Sequence, residues 1–338
     1  MTTDLIISEN FSGHWIDELK RDFRVVHDPE LWRSPERLKR LLPGSRALLV
    51  RNQTRITADV IEAGPQLQVI GRAGAGLDNI DVPAATAAGV VIASTPDQNS
   101  ISVAELALGM MLALARKLPE ASAHARKGGW ERQRFFGTEL YQKTLGIVGL
   151  GRIGFLLAMR ARAFGMKILA HDVYLNPDSV AVTESGAELV TLNDLLERSD
   201  FVSCHMPLTP ETRRFFRYEH FCQMKPRAFF LNLARGEVLD EQGLVAALRE
   251  KRFAGAALDV REQEPPGASP LGEFDNVILT PHIGAFTHEA QERVTAAVCR
   301  DVRSVLTGQP ARNFVNFSKS KPKTSPVPSG ETLIEQTA

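Results

Sequence analysis

The chain has 338 residues, which at roughly 150 residues per domain suggests about two domains. Hydrophobic residues make up 43% and charged residues 24%, and 40 Lys and Arg balance 40 Asp and Glu. A net charge of zero argues against non-specific nucleic-acid binding, which needs a basic surface to displace counterions, and leaves open a local basic pocket for a small anion.

Residues 1–10 are acidic and lack the basic flank and cleavage site of a signal peptide. Residues 4–8 then read as a strand, 16–23 as a helix, 47–50 as a strand, 58–62 as a helix, and 67–70 and 90–93 as strands. Strand alternating with helix predicts a parallel sheet covered by helices. Ser102-Val-Ala-Glu105 has the form of a capping box opening a helix over 103–116 that is apolar almost all round and so is expected to be buried on all sides. Its apolar run, 106–115, is well short of the roughly 18 residues that span a bilayer. It is either a core helix or a helix between lobes or subunits.

The alternation restarts at Thr144. Strands are expected over 145–148, 167–171, 201–204, 228–232 and 254–258, and helices over 153–164, 192–198, 241–250 and 289–306. This is a second α/β unit of the doubly wound kind. The tail after residue 316 carries few apolar groups and is expected to be disordered. Cys204, Cys222 and Cys299 form no C-x-x-C pair, and so sparse a set fits a reducing cytosol. The expected location is cytoplasmic, with neither membrane nor nucleic acid as partner.

Gly149-Leu-Gly-Arg-Ile-Gly154 is a G-x-G-x-x-G between a strand and a helix, the context in which it binds a dinucleotide. Gly149 permits the tight turn, Gly151 lets the backbone approach a pyrophosphate, and Gly154 lets helix pack closely on strand. The helix N-terminus offers amides and a positive dipole end to the phosphates. Asp172 lies 18 residues beyond Gly154, at a strand end, where an acid accepts hydrogen bonds from ribose hydroxyls and repels a 2′-phosphate. No Arg or Lys follows within 173–177, so NAD is favoured over NADP. A second glycine cluster, Gly71-Arg-Ala-Gly-Ala-Gly76, lacks this fingerprint. It is either a backbone that passes close to a ligand or a plain tight turn.

Arg235, Glu264 and His282 each follow a predicted strand of the second unit. Ligands of open α/β sheets bind beyond the carboxyl ends of strands. His is the natural base near neutral pH, a carboxylate beside it fixes its tautomer and raises its pKa, and Arg offers a planar fork to a carboxylate. Hydride chemistry on a 2-hydroxy acid needs these groups. No metal is called for.

The sequence resembles the D-isomer-specific 2-hydroxyacid dehydrogenase family over about residues 4–316. The resemblance rests on Arg72-Ala-Gly-Ala-Gly-Leu-Asp-Asn-Ile-Asp81, Asn99-Ser-Ile-Ser-Val-Ala-Glu105, Gly129-Trp-Glu-Arg132 and Gly137-Thr-Glu-Leu140. The stretch 143–154, His205-Met-Pro-Leu-Thr209, Asn232-Leu-Ala-Arg-Gly236, Ala256-Ala-Leu-Asp-Val260 with Glu264-Pro265, and Pro281-His-Ile-Gly284 complete it. It implies a two-lobed α/β fold, with a Rossmann-type NAD-binding domain (96–285) inserted in a flavodoxin-like substrate-binding domain (1–95 and 286–316), and 317–338 as a disordered tail. It implies a homodimer, or a tetramer, with the helix 103–116 near the centre of the interface. By motif position Arg235 would bind the substrate carboxylate, His282 would be the general acid/base and Glu264 its partner. Ala75, Arg152, Ile153, Asp172, Met206, Leu233, Ala234, Arg235, Asp259, His282, Gly284 and Ala285 would join the three fingerprint glycines in contacting NAD.

The resemblance is strongest to members that oxidise 3-phospho-D-glycerate. It places Arg51 and Arg72, with Ala73 and Gly74, where such members hold the substrate and its phosphate, and Arg132 where one subunit reaches its neighbour. Arginine suits such a dianion. The alternatives are ordinary surface arginines and a reductase of hydroxypyruvate, glyoxylate or another 2-oxo acid, including a sulfonated one. A non-enzymatic, corepressor-like NAD sensor would keep the same residues. Two positions depart from the family pattern: Met206 stands where Thr is common, and Phe286 where a small Ser is usual. The short tail is expected to leave no room for a C-terminal regulatory domain.

Overall fold

A computed structural model describes residues 3–317, so the tail expected over 317–338 lies, after Phe317, outside the described residues. The first sheet is built from β1 (Leu5–Ile7), β2 (Val25–His27), β3 (Ala47–Val50), β4 (Val69–Arg72) and β5 (Val91–Ser94). The helices α1 (His14–Asp22), α2 (Pro35–Leu41), α3 (Ala58–Glu62) and α4 (Val82–Ala87) alternate with these strands. All its pairings are parallel, in the order β2-β1-β3-β4-β5, the flavodoxin-like order. Such a sheet is covered on both faces, which is why β1 and β3 are unbroken runs of buried apolar residues.

The chain then leaves through α5 (Ser100–Ala115) and α6 (Leu118–Arg126) into a second sheet. Its strands are β6 (Thr144–Val148), β7 (Lys167–His171), β8 (Glu188–Leu189), β9 (Phe201–Cys204), β10 (Phe229–Asn232), β11 (Gly255–Leu258) and β12 (Val277–Leu279). The helices α7 (Arg152–Ala163), α8 (Val180–Ser185), α9 (Leu192–Arg198), α10 (Tyr218–Gln223) and α11 (Glu241–Arg249) connect them. The order β12-β11-β10-β9-β6-β7-β8 is all parallel and reverses direction between β9 and β6, the Rossmann topology. Phe216, Phe221 and Phe230 pack edge to face beneath it, with ring centroids 4.9 and 5.2 Å apart, and fix the strand that ends at Asn232.

The last helix, α12 (His288–Leu306), returns to the first sheet. Thr287 caps it, its side chain accepting the Ala290 N–H at 3.1 Å. It lies so close over β4 that a Cβ on Gly71 would stand 2.6 Å from Val302 and 2.9 Å from Val298. Phe314 then bridges to Ala93, and the side-chain oxygen of Asn316 accepts the Ile92 N–H.

The capping box expected at Ser102 is not formed. The helix begins two residues earlier, and Ser102, inside it, meets the Thr287 hydroxyl at 2.9 Å, while Glu105 pairs with Arg160. A serine in a first turn with a hydroxyl partner across the interface has no need to close a cap. Nor is α5 buried on all sides within one chain: Ile101, Glu105 and Gly109 are exposed and Leu106, Leu108 and Leu112 only partly buried. The elements that sequence periodicity did not reveal (β2, β8, α2, α4, α6, α8 and α10) have two to nine residues, too few to show a period.

Candidate active site

At the reversal between β6 and β9, Gly149 has φ of 93°, and a Cβ there would come 3.0 Å from the His205 carbonyl carbon. Glycine is required on both counts. A Cβ on Gly154 would stand 2.5 Å from the Gly149 carbonyl oxygen, so α7 packs directly on the turn. Gly151, by contrast, caps α7 with nothing within 4 Å of where a Cβ would be. The open space lies at the helix N-terminus, where phosphates are favoured. Asp172, at the end of β7, accepts the Leu150 N–H at 3.0 Å and the Tyr174 N–H at 2.9 Å, one on each oxygen. It is thus tied to the glycine turn with lone pairs to spare for hydroxyl donors. These residues fit a dinucleotide. Arg152 pairs with Asp97 at 3.1 Å, and Ile153 and Met206 are half-buried beside the turn. Next to Met206, burial pushes the His205 imidazole down to about 4; its Nε2 meets Ser203 Oγ at 2.8 Å and its buried Nδ1 has no partner.

Beyond β12 the backbone turns sharply at His282, which has φ of 55°. Asp259 holds this turn. Its buried carboxylate accepts the Thr280 hydroxyl at 2.5 Å and the N–H groups of Ile283 and Gly284, each at 2.8 Å. Both Asp259 oxygens are thereby committed within the chain. The His282 ring, so placed, sets Nδ1 2.7 Å from Glu264 Oε2, while Nε2 has no partner among the described residues. Burial raises the Glu264 carboxyl, but the hydrogen bond and charge of His282, the Arg261 N–H and the nearby Arg235 outweigh it and hold the group below its ordinary value. The result is a carboxylate that fixes the tautomer of a half-exposed imidazole.

Arg235 follows β10, where buried Asn232 spans the turn: its amide donates to the Arg235 carbonyl at 2.9 Å and its oxygen accepts the Ala234 N–H at 3.1 Å. The guanidinium donates from Nε to Asp78 Oδ2 at 2.8 Å and from Nη1 to the Ala234 carbonyl at 2.6 Å. Asp78 belongs to the first sheet's side of the cleft, so this contact crosses it. A Cβ on Gly76 would stand 1.8 Å from Arg235 Nη2. In this arrangement Gly76 leaves room for the arginine. At Gly74, with φ of 142°, a Cβ would collide with Arg72, and the Gly74 N–H donates to Thr95. Ala73 is buried and Ala75 exposed on the same turn.

Arg72 ends β4. Burial first, then the like charges of Arg235 and Arg51, bring its guanidinium down to about 10; Glu9 and Asp78 act in the opposite sense. Its Nη1 donates to the Ala73 carbonyl at 2.7 Å, and its Nε is buried without a partner. Arg51 stacks 4.5 Å over the Phe11 ring and donates to the Asn10 carbonyl at 2.9 Å and to Gln291 Oε1 at 2.5 Å. Arg51 and Arg235 thus lie close enough to Arg72 to act on its guanidinium, with the carboxylates of Glu9 and Asp78 set against them. Arg132 is not among them: it sits on an exposed turn and touches none of these residues. Leu233 and Gly284 are buried in the floor of the cleft, Ala234 and Ala285 at its edge. Phe286 is 65% exposed.

Sequence reasoning passed over Asp78, Gln291 and Glu9 as functional. Gln291 ties the Ala285 carbonyl to Arg51, and buried Glu9 accepts the N–H groups of Arg51, Gln53 and Thr54. Asp78 stood within a quoted motif; the others carried no local signal.

The family described as "D-isomer specific 2-hydroxyacid dehydrogenase, NAD binding domain" matches residues 108–284. The chain belongs to the D-isomer specific 2-hydroxyacid dehydrogenase family. Among relatives of this chain, the D-3-phosphoglycerate dehydrogenase of Synechocystis is 45% identical over 313 residues, 93% of this chain and 56% of that protein. The chain spans only a little over half the length of the curated relatives it matches. The crystal structure of the TT0316 protein from Thermus thermophilus aligns with a TM-score of 0.86 and 34% identity, covering 92% of this chain and 99% of that one. The D-lactate dehydrogenase of Aquifex aeolicus, complexed with NAD and lactic acid, aligns with a TM-score of 0.83 and 29% identity over 93% of this chain and 99% of that one. Among the described residues, no helix of this chain is long and apolar enough to cross a membrane.

Proposed function

We propose that the chain is an NAD-dependent oxidoreductase interconverting a D-2-hydroxy acid and its 2-oxo acid, with 3-phospho-D-glycerate and 3-phosphohydroxypyruvate as the pair. The observation that carries this reading is His282, held at Nδ1 by Glu264 with Nε2 free, in a cleft whose cationic side is Arg235, Arg72 and Arg51. Residues 1–95 and 286–316 form the substrate-binding unit and 96–285 the NAD-binding unit. Gly149, Gly151 and the start of α7 would hold the pyrophosphate, and Asp172 the adenosine ribose, which excludes a 2′-phosphate. Bound there, the nicotinamide supplies or accepts the hydride. His282 takes the hydroxyl proton during oxidation and returns it during reduction, and Glu264 stabilises the imidazolium in between. Arg235 pairs with the substrate carboxylate in place of, or together with, its contact to Asp78. Arg72 and Arg51 receive the phosphate.

The partly uncovered face of α5, together with exposed Trp130 and Phe136 on the following loop, suits a second copy of the chain. Arg132 would reach across that homodimer interface. Three unpaired cysteines suit the cytosol. A second reading, reduction of an unphosphorylated 2-oxo acid, draws on Arg51, whose guanidinium is already bound to Asn10 and Gln291.

The test is NADH formation from 3-phospho-D-glycerate, D-glycerate and D-lactate, with the 2-oxo product trapped because the oxidation is uphill. Preference for the phosphorylated acid is expected. Arg51→Ala and Arg72→Ala should cripple that substrate and spare the others. Equal loss on all three would remove the phosphate assignment.

A further inference from the structure

The loop that carries Glu264 is fixed by a buried ion pair that the chemistry above does not use. Arg261 donates from Nε to Glu241 Oε1 at 2.9 Å and from Nη2 to Oε2 at 2.8 Å, and Nη2 also reaches Ser269 Oγ at 2.8 Å. The two side chains are only 10% and 16% exposed. Glu241 Oε1 further accepts the Glu262 N–H at 2.8 Å. The backbone N–H of Arg261 points the other way and donates to Glu264 Oε1 at 3.1 Å. The Arg261 carbonyl presses on the residue after Arg235, since a Cβ on Gly236 would stand 1.8 Å from that oxygen.

One residue thus joins three parts: the start of α11 through its side chain, the Arg235 turn through its carbonyl, and the Glu264 carboxylate through its N–H. We propose that Arg261, locked by Glu241, is a positioning residue that sets the Glu264 carboxylate where it holds His282. A buried ion pair is a poor source of net stability, because desolvation offsets its attraction, and apolar replacements are often neutral. What a two-pronged guanidinium–carboxylate pair supplies is fixed geometry, which lysine cannot reproduce. Glu264 needs it: one of its oxygens is held only by this N–H and the other only by the imidazole.

The inference rests on the acid–base reading of His282, so its test includes a readout that needs no substrate. The variants are Arg261→Lys, which keeps the charge paired, and the double variant Arg261→Met with Glu241→Gln, which leaves no buried charge alone. Their kcat and KM are measured, and the His282 imidazole is titrated by NMR, its signal assigned by its loss in His282→Gln. In the double variant kcat should fall at least about tenfold, part of the ~10²–10⁴ that general acid–base catalysis contributes, with KM for the dinucleotide unchanged. The imidazole should titrate at lower pH, with Arg261→Lys in between. A folded double variant with wild-type kcat and an unmoved titration overturns the proposal. If the double variant does not fold, the same null result in Arg261→Lys overturns it. If the wild-type protein reduces no 2-oxo acid yet the titration moves, positioning stands and the dehydrogenase reading fails.

Discussion

Burial alone would raise the Glu264 carboxyl, but the hydrogen bond and charge of His282, the Arg261 N–H and Arg235 hold it below the ordinary range. The sign follows from linkage. A carboxyl depressed in the folded state contributes stability that is fully present above the unfolded value of about 4.3 and is lost as pH falls through the lower folded value. The stability gap between wild type and Glu264→Gln should therefore persist at neutral pH and close only on strong acidification, as urea titrations at several pH values would show. In the same variant the imidazolium loses its counter-charge, so the alkaline limb of the reduction rate should move to lower pH. An unmoved limb would mean that Glu264 does not support the reacting imidazole. His282→Gln should lower turnover by about 10²–10⁴ while dinucleotide binding, followed by fluorescence, survives. Complete loss of turnover with binding intact also separates an enzyme from a binding protein that merely keeps the same residues.

The long elements were legible in the sequence, and for a physical reason. The buried strands β1 and β3 are continuous apolar runs, and the last helix, α12, repeats its apolar face over 19 residues. Arg235, Glu264 and His282 could be placed because each follows such a strand. Asp78 and Gln291 could not be paired with Arg235 and Arg51 from sequence. They stand 157 and 240 residues away from those partners; Asp78 meets Arg235 across the two sheets, and Gln291 meets Arg51 because α12 packs back on the first sheet. At this scale the close crossing of α12 over β4 is the feature to test. Gly71→Ala puts a methyl into Val298 and Val302, both buried, and the helix can yield only by shifting. A loss of about 1–3 kcal/mol in denaturant unfolding is expected. Because α12 also carries Gln291, the variant should weaken substrate binding before it affects the dinucleotide. An unchanged unfolding midpoint would show that the helix does not depend on this contact.

Across the whole molecule, two parallel sheets are joined by α5 and α12 and face each other over a cleft that a few polar contacts span. Arg235 reaches Asp78 at 2.8 Å, and Arg293 donates to the Gln98 carbonyl at 3.0 Å. The acid–base pair and Arg235 come from the second sheet, and Arg72 and Arg51 from the first. On the proposed reading, the site draws residues from both sheets. The same division places the G-x-G-x-x-G in the second sheet and the glycine turn 71–76 in the first. The most direct test is the reduction of 3-phosphohydroxypyruvate and of hydroxypyruvate by NADH, side by side, in wild type and His282→Gln. The account predicts NADH consumption with both, a higher kcat/KM for the phosphorylated acid, and collapse of both rates in the variant. No consumption with any 2-oxo acid, or rates that survive the loss of His282, would contradict it.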